Sequence, residues 1–171
     1  WQYRTNGKFS EHGGYNPWMA DGLWKPHFEG QPAYLTPAII NYSNGPCGFA
    51  YNPGTALSEN YRNYFFVTEF PGKNIRAFRT KPEGAGFKMV DEHVAHHGLM
   101  TTGINFGPDG ALYLADWGNN GWAPHEKGRI MKLDSPRAID RPLRIQTRKL
   151  RGDGFAMRDD TELSRLLAHA D

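Results

Sequence analysis

The sequence has one cysteine, Cys47. That excludes an internal disulfide, a cysteine-based zinc site and a c-type haem attachment motif, and it leaves the redox compartment unread. No run approaches the roughly 18 apolar residues of a membrane-crossing helix. The opening Trp1-Gln2-Tyr3-Arg4 has none of the features of a signal peptide. Charge of one sign is also missing. Lys and Arg number 20 against 18 Asp and Glu, the net charge is +2, and the basic residues are scattered, which argues against a nucleic-acid groove. No P-loop, GxGxxG or Ser-His-Asp order occurs.

What the chain does have is 20 Gly, 12 Pro and 13% aromatic residues among short apolar runs, the composition of a turn-rich all-β protein. Its 171 residues suit one domain, or a domain with an appendage, with enough chain to bury a core. The pattern is sharpest from Thr101 to Trp117. Thr102, Ile104 and Phe106 alternate with Gly103 and Asn105, Gly107-Pro108-Asp109-Gly110 forms a turn, and Leu112 and Leu114 alternate with Tyr113 and Ala115. Proline presets φ and glycine accepts a positive φ, so this is a β-hairpin. Residues 128–133 restore strand character after a polar, glycine-rich loop, giving three strands of one meander.

Earlier in the chain, 37–42, 47–51, 64–70, 74–80 and 86–90 read as strands, and they repeat the later ones. Residues 48–53 match 103–108, 66–70 match 113–117, and 75–78 match 130–133, an offset of about 50 residues that fits one four-stranded propeller blade. About two blades are therefore expected over 37–134. Residues 1–36 are aromatic-rich and broken by Gly and Pro, which suits an ordered loop packed over a core or an aromatic platform for a sugar ring. Residues 135–158 are expected to be a linker, because 137–151 carry six Arg and Lys among polar residues and read as a solvated connector. Residues 159–171 open a helical segment, with an N-cap signal at Asp159 and Leu163, Leu166 and Leu167 on one face. Two blades cannot close a ring, so the chain is expected to be an internal piece of a longer protein.

In a propeller, the segment entering each inner strand and the loop after the second strand share one mouth. Here those segments collect Asn44, Glu69, Lys73, His96, His97, Asp116, Asn119, Trp122 and His125. We single out Asn44, Glu69, Lys73, His97, Asp116, Trp122 and His125 as candidate substrate or cofactor contacts, with no metal site and no catalytic residue assigned. Each has a plainer reading. Glu69 and Asp116 can bond to loop amides, His125 can pair with Glu126 at the surface, and Trp122 can pack rather than stack on a ligand. His96 and His97, adjacent on a strand, would point to opposite faces.

Residues 44–57, 107–117 and 128–130 together resemble the C-terminal blades of the glucose/sorbosone dehydrogenase-like β-propellers. Within that group the resemblance is to the multidomain bacterial proteins in which such a propeller precedes HEAT-type helical repeats, which 163–171 resemble, and often a c-type cytochrome domain. The resemblance implies a six-bladed propeller outside the cytoplasm, periplasmic or secreted. It implies oxidation of a sugar or alcohol with pyrroloquinoline quinone (PQQ) and Ca²⁺, a His base in earlier blades, and a cytochrome c as electron acceptor. The family pairs the quinone's carboxylates with an Arg-x-Arg before the GPDG strand. Here Met100 and Thr102 stand at those places, and neither can hold a carboxylate bidentately. Two functions are therefore expected: a quinone-dependent dehydrogenase completed by other blades, or a cofactor-less propeller that binds glycan or a partner protein.

Overall fold

The computed structural model describes residues 28, 39, 45–84, 86–118, 121 and 123–171. The expected aromatic segment 1–36 and strand 37–42 otherwise lie outside them. Among the described residues seven strands form two antiparallel sheets. The first holds β1 (Pro46–Asn52), β2 (Tyr64–Glu69), β3 (Asn74–Glu83) and β4 (Gly86–His97) in that order; the second holds β5 (Thr101–Phe106), β6 (Leu112–Asp116) and β7 (Arg129–Leu133). Residues 98–100 carry the chain from the outer edge of the first sheet to the first strand of the second. This is the arrangement of a partial all-β propeller.

The sequence repeat is a structural repeat. Phe49 pairs with Val67 as Ile104 pairs with Leu114, and Glu69 pairs with Asn74 as Asp116 pairs with Arg129. Even the irregularity recurs, since the register shifts between Pro46 and Gly48 and again between Thr101 and Gly103. Pro46 opens an edge strand, where a missing donor is tolerated.

The two sheets bury one core between them. Phe66, Ile75 and Ala77 of the first meet Leu112 and Leu114 of the second, with Leu57 alongside. The innermost strands approach so closely that a Cβ on Gly48 would lie 2.8 Å from Ile104 Cγ2. At the far end Gly107, Pro108, Asp109 and Gly110 make the expected turn, closed by Gly110 N to Gly107 O at 2.9 Å, with Gly110 at φ 74°. Asp109 braces it. Its carboxylate accepts from Ala111 N (3.1 Å), the Tyr113 hydroxyl (3.1 Å) and Lys132 Nζ (2.7 Å).

Two expectations need correction. Residues 137–151 are not a solvated connector: Pro136–Ala138 forms a 3-10 turn and Pro142–Asp153 forms helix α1. Its buried residues are Arg144 and Thr147, and Arg144, 3% exposed, pairs with Asp134 at 2.9 Å and donates to Asp109 O at 2.8 Å. A charged anchor holds the helix to the GPDG turn, so no apolar stripe announces it. The strand expected over 86–90 runs on to His97, because a mostly exposed outer strand needs no apolar alternation. Helix α2 (Asp160–Leu166) starts where the N-cap signal put it, with Asp159 accepting from Glu162 N at 2.8 Å.

Candidate functional site

The ends of β2, β4 and β6 and the starts of β3, β5 and β7 lie at the end of the sheets opposite the GPDG turn. Their chemistry starts from the two equivalent acids. Glu69, 0% exposed, accepts from Asn74 Nδ2 and Arg76 Nε, both at 2.8 Å. Arg76 also reaches Glu92 at 2.6 Å. Asp116, 4% exposed, accepts from Arg129 Nη2 at 2.6 Å, Met100 N at 3.0 Å and Gly118 N at 3.3 Å. Each carboxylate is desolvated but fully bonded, which is how a buried charge is tolerated.

His97 is exposed, and its Nδ1 lies 2.8 Å from Asn74 Oδ1. Lys73 turns the chain between β2 and β3 at φ 55°, and its carbonyl accepts from Gly98 N at 2.8 Å, which ties the His97 end of β4 to that turn. Phe70 and Trp117, which follow the two acids and are equivalent in the repeat, meet edge to face at 6.3 Å between centroids. Trp117 donates its indole N–H to Gly121 O at 2.7 Å and meets the His125 ring at 4.9 Å. His125 Nδ1 accepts from Lys127 N at 3.0 Å, while its buried Nε2 has no hydrogen-bond partner among the described residues.

Of the candidates, Glu69 and His97 are thus joined through Asn74, Lys73 borders them, and Asp116 and His125 sit on either side of Trp117. Asn44 and Trp122 lie outside the described residues. Asn74, Arg76, Glu92 and Arg129 were missed by sequence reasoning. The repeat held the signal for two of them, because its register sets Asn74 and Arg129 directly across from the acids. Among the described residues no group of three His, Cys, Asp or Glu side chains is placed to hold a metal. An open groove of about 450 Å³, lined by residues including Arg79, Lys81 and Asp91, lies on the far half of the β3–β4 hairpin, away from this cluster.

Part of this chain is similar to glucose dehydrogenases. Two solved glucose dehydrogenases match 56% of it at 23% identity and a TM-score of 0.43. An oxidoreductase described as a glucose dehydrogenase, from Thermus thermophilus, matches 60% of it at 18% identity and a TM-score of 0.45. The matches take in 27%, 25% and 29% of those chains, so this chain spans about a quarter of their length. No family model and no curated protein matches it.

The arrangement presents three kinds of group at one end of the two sheets: a half-buried lysine, an exposed imidazole and the half-buried indole of Trp117. Hydrogen-bonding groups beside aromatic faces are what a polyhydroxylated ring needs.

Proposed function

We propose that this chain supplies part of the mouth of a sugar- or alcohol-oxidising β-propeller of the glucose/sorbosone dehydrogenase type, and that its own residues contact the sugar. The observation that supports this reading is the placement of Lys73, His97 and Trp117, the last packed on the buried Phe70, at the strand ends carrying the repeated acids. In this reading a sugar hydroxyl is bonded by Lys73 and His97, and an apolar ring face lies against Trp117.

The quinone fits these residues poorly. Its carboxylates call for fixed cations. At the two positions in question Met100 gives its backbone N–H to Asp116, and the Thr102 hydroxyl donates to Ala115 O at 3.1 Å. Arg76 and Arg129 are bonded to carboxylates of their own sheets. In this reading PQQ and calcium would be held by other blades, and the residues of this chain contact the sugar alone. Location outside the cytoplasm and a cytochrome c acceptor belong to the same proposal.

The test uses the intact protein from its source. Reduction of a dye by an aldose, with glucose binding weakened at least tenfold by Lys73→Met, would support the dehydrogenase reading; absence of dye reduction at saturating PQQ and Ca²⁺ would remove it. Engagement of Met100 and Thr102 inside their own sheet favours a second reading, a cofactor-less propeller that binds glycan or a partner protein. Glycan binding without quinone uptake would select it.

A further inference from the structure

The two sheets carry an acid at the same register, Glu69 in the first and Asp116 in the second, but bond it differently. In the second sheet the residue opposite the acid is Arg129, whose Nε and Nη2 both bond Asp116 Oδ2, at 3.1 and 2.6 Å. In the first the residue opposite is Asn74, and the arginine has moved two residues along, to Arg76. That shift leaves the Asn74 amide between Glu69 and His97. The consequence is a chain of fixed donor roles. An ionised carboxylate only accepts, so the 2.8 Å contact to Glu69 Oε2 requires the Asn74 NH₂ to face it. The Asn74 carbonyl oxygen then faces His97 Nδ1 at 2.8 Å and can only accept, so Nδ1 must carry the proton. In the neutral ring Nε2 is left as a bare acceptor, and it has no hydrogen-bond partner among the described residues.

We infer that His97 contacts the ligand through Nε2, held by the Glu69–Asn74 relay as an acceptor for a hydroxyl of a polyhydroxylated compound, with Glu69 and Asn74 as positioning residues. This rests on the proposed sugar-binding mouth. The exposed imidazole is ordered at one nitrogen and open at the other, and the carboxylate that sets its tautomer is fully buried, where no solvent competes for it. A purely structural network would have no need of the exposed ring, since Arg76 alone gives Glu69 a charged partner. The second sheet shows this: Asp116 is satisfied by an arginine and backbone amides with no histidine in its network.

The test is nitrogen-15 NMR of histidine-labelled intact protein above the imidazole's titration range, with His97 assigned by His97→Gln. The Nδ1–H form is expected to dominate His97 and to give way, in Asn74→Leu, to the Nε2–H form or a mixture. Asn74→Leu also takes the donor from Glu69 Oε2 but leaves Arg76 on Oε1, and a circular dichroism melt checks that the variant folds. D-glucose should shift the His97 Nε2 signal, and His97→Gln and Asn74→Leu should each weaken glucose binding by about three- to tenfold, the worth of one hydrogen bond. A His97 tautomer that is mixed in the wild type, or unchanged in Asn74→Leu, overturns the relay. Calorimetric binding of glucose that leaves Nε2 unmoved overturns the contact while the sugar-binding reading stands. No calorimetric binding of glucose overturns both the contact and the reading it rests on.

Discussion

Asp109 offers a quantitative test of how the GPDG turn is held. Burial alone would raise its carboxyl pKa, but the hydrogen bonds from Lys132, the Ala111 amide and Tyr113 outweigh it and bring the value from 3.8 to about 2. At roughly 1.36 kcal/mol per unit, that difference is worth about 2.4 kcal/mol of folding free energy. The Asp109 side chain keeps 29% of its surface exposed and that of Lys132 49%, so solvent screening brings it to about 1 kcal/mol. The folded pKa is the lower one, so the contribution is complete above the unfolded value of 3.8 and is lost as pH falls through about 2. Asp109→Asn keeps an oxygen for the Ala111 amide and removes the charge. Urea unfolding of the intact protein should show this variant less stable by about 1 kcal/mol at pH 7, with the difference closing between about pH 4 and pH 2. Lys132→Met should also destabilise at pH 7, and the double variant should be little less stable than Asp109→Asn alone. A deficit that stays constant from pH 7 to pH 2, or single losses that simply add, would refute the reasoning.

Other perturbations probe the core and the helix anchor. Phe66→Ala empties the space between the sheets and should cost about 3–5 kcal/mol in urea unfolding; a loss under about 1 kcal/mol would mean that the sheets do not share a core. Gly48→Val forces a side chain into Ile104 where β1 meets β5, and should cost about 1–3 kcal/mol, partly recovered by Ile104→Ala. Arg144→Met strips the buried anchor of α1 and leaves Asp134 only the more distant Lys132 as a cation, at a cost of about 3 kcal/mol. Hydrogen exchange should speed in α1 while the amides of β2 and β6 keep their protection, and equal loss in both would show that α1 is not a separate unit.

The parts of the fold that could be read from the sequence are those where side chains answer to one rule. The hairpin over 101–117 has period-2 residues on both arms and a turn that only Pro and Gly satisfy, and the repeat made β1 to β3 legible by analogy. Helix α1 could not be read in the same way, because its anchor is an arginine buried through ion pairing, which a search for apolar periodicity discards. Pro142 at its first turn was the one local signal. The long β4 was cut short for a related reason: several of its residues, such as Asp91 and Glu92, face solvent or pair with Arg79 and Arg76 rather than alternate. At the candidate site the acids and His97 were identified by position, but the relay between them depends on Asn74, a residue type usually read as turn chemistry. Its role emerges only when the acid opposite it and the histidine on the next strand are known.

The contact between Thr55 and Asp171 bears on the order in which the molecule assembles. Thr55 Oγ1 donates to Asp171 Oδ1 at 3.1 Å across 116 residues of sequence, and Arg151 holds the same carboxylate at 2.6 Å. Each sheet is a meander whose neighbouring strands are also neighbours in sequence, so its hairpins close short loops. The Thr55–Asp171 clasp instead closes a loop about ten times longer, an entropic handicap of about 2 kcal/mol before any contact is gained. The sheets therefore have the kinetic advantage, and the helical segment is added to a surface already formed. With Arg141 on the Leu57 carbonyl, the clasp ties the helical segment to the loop after β1, so the segment can detach while the pair of sheets still shares its core.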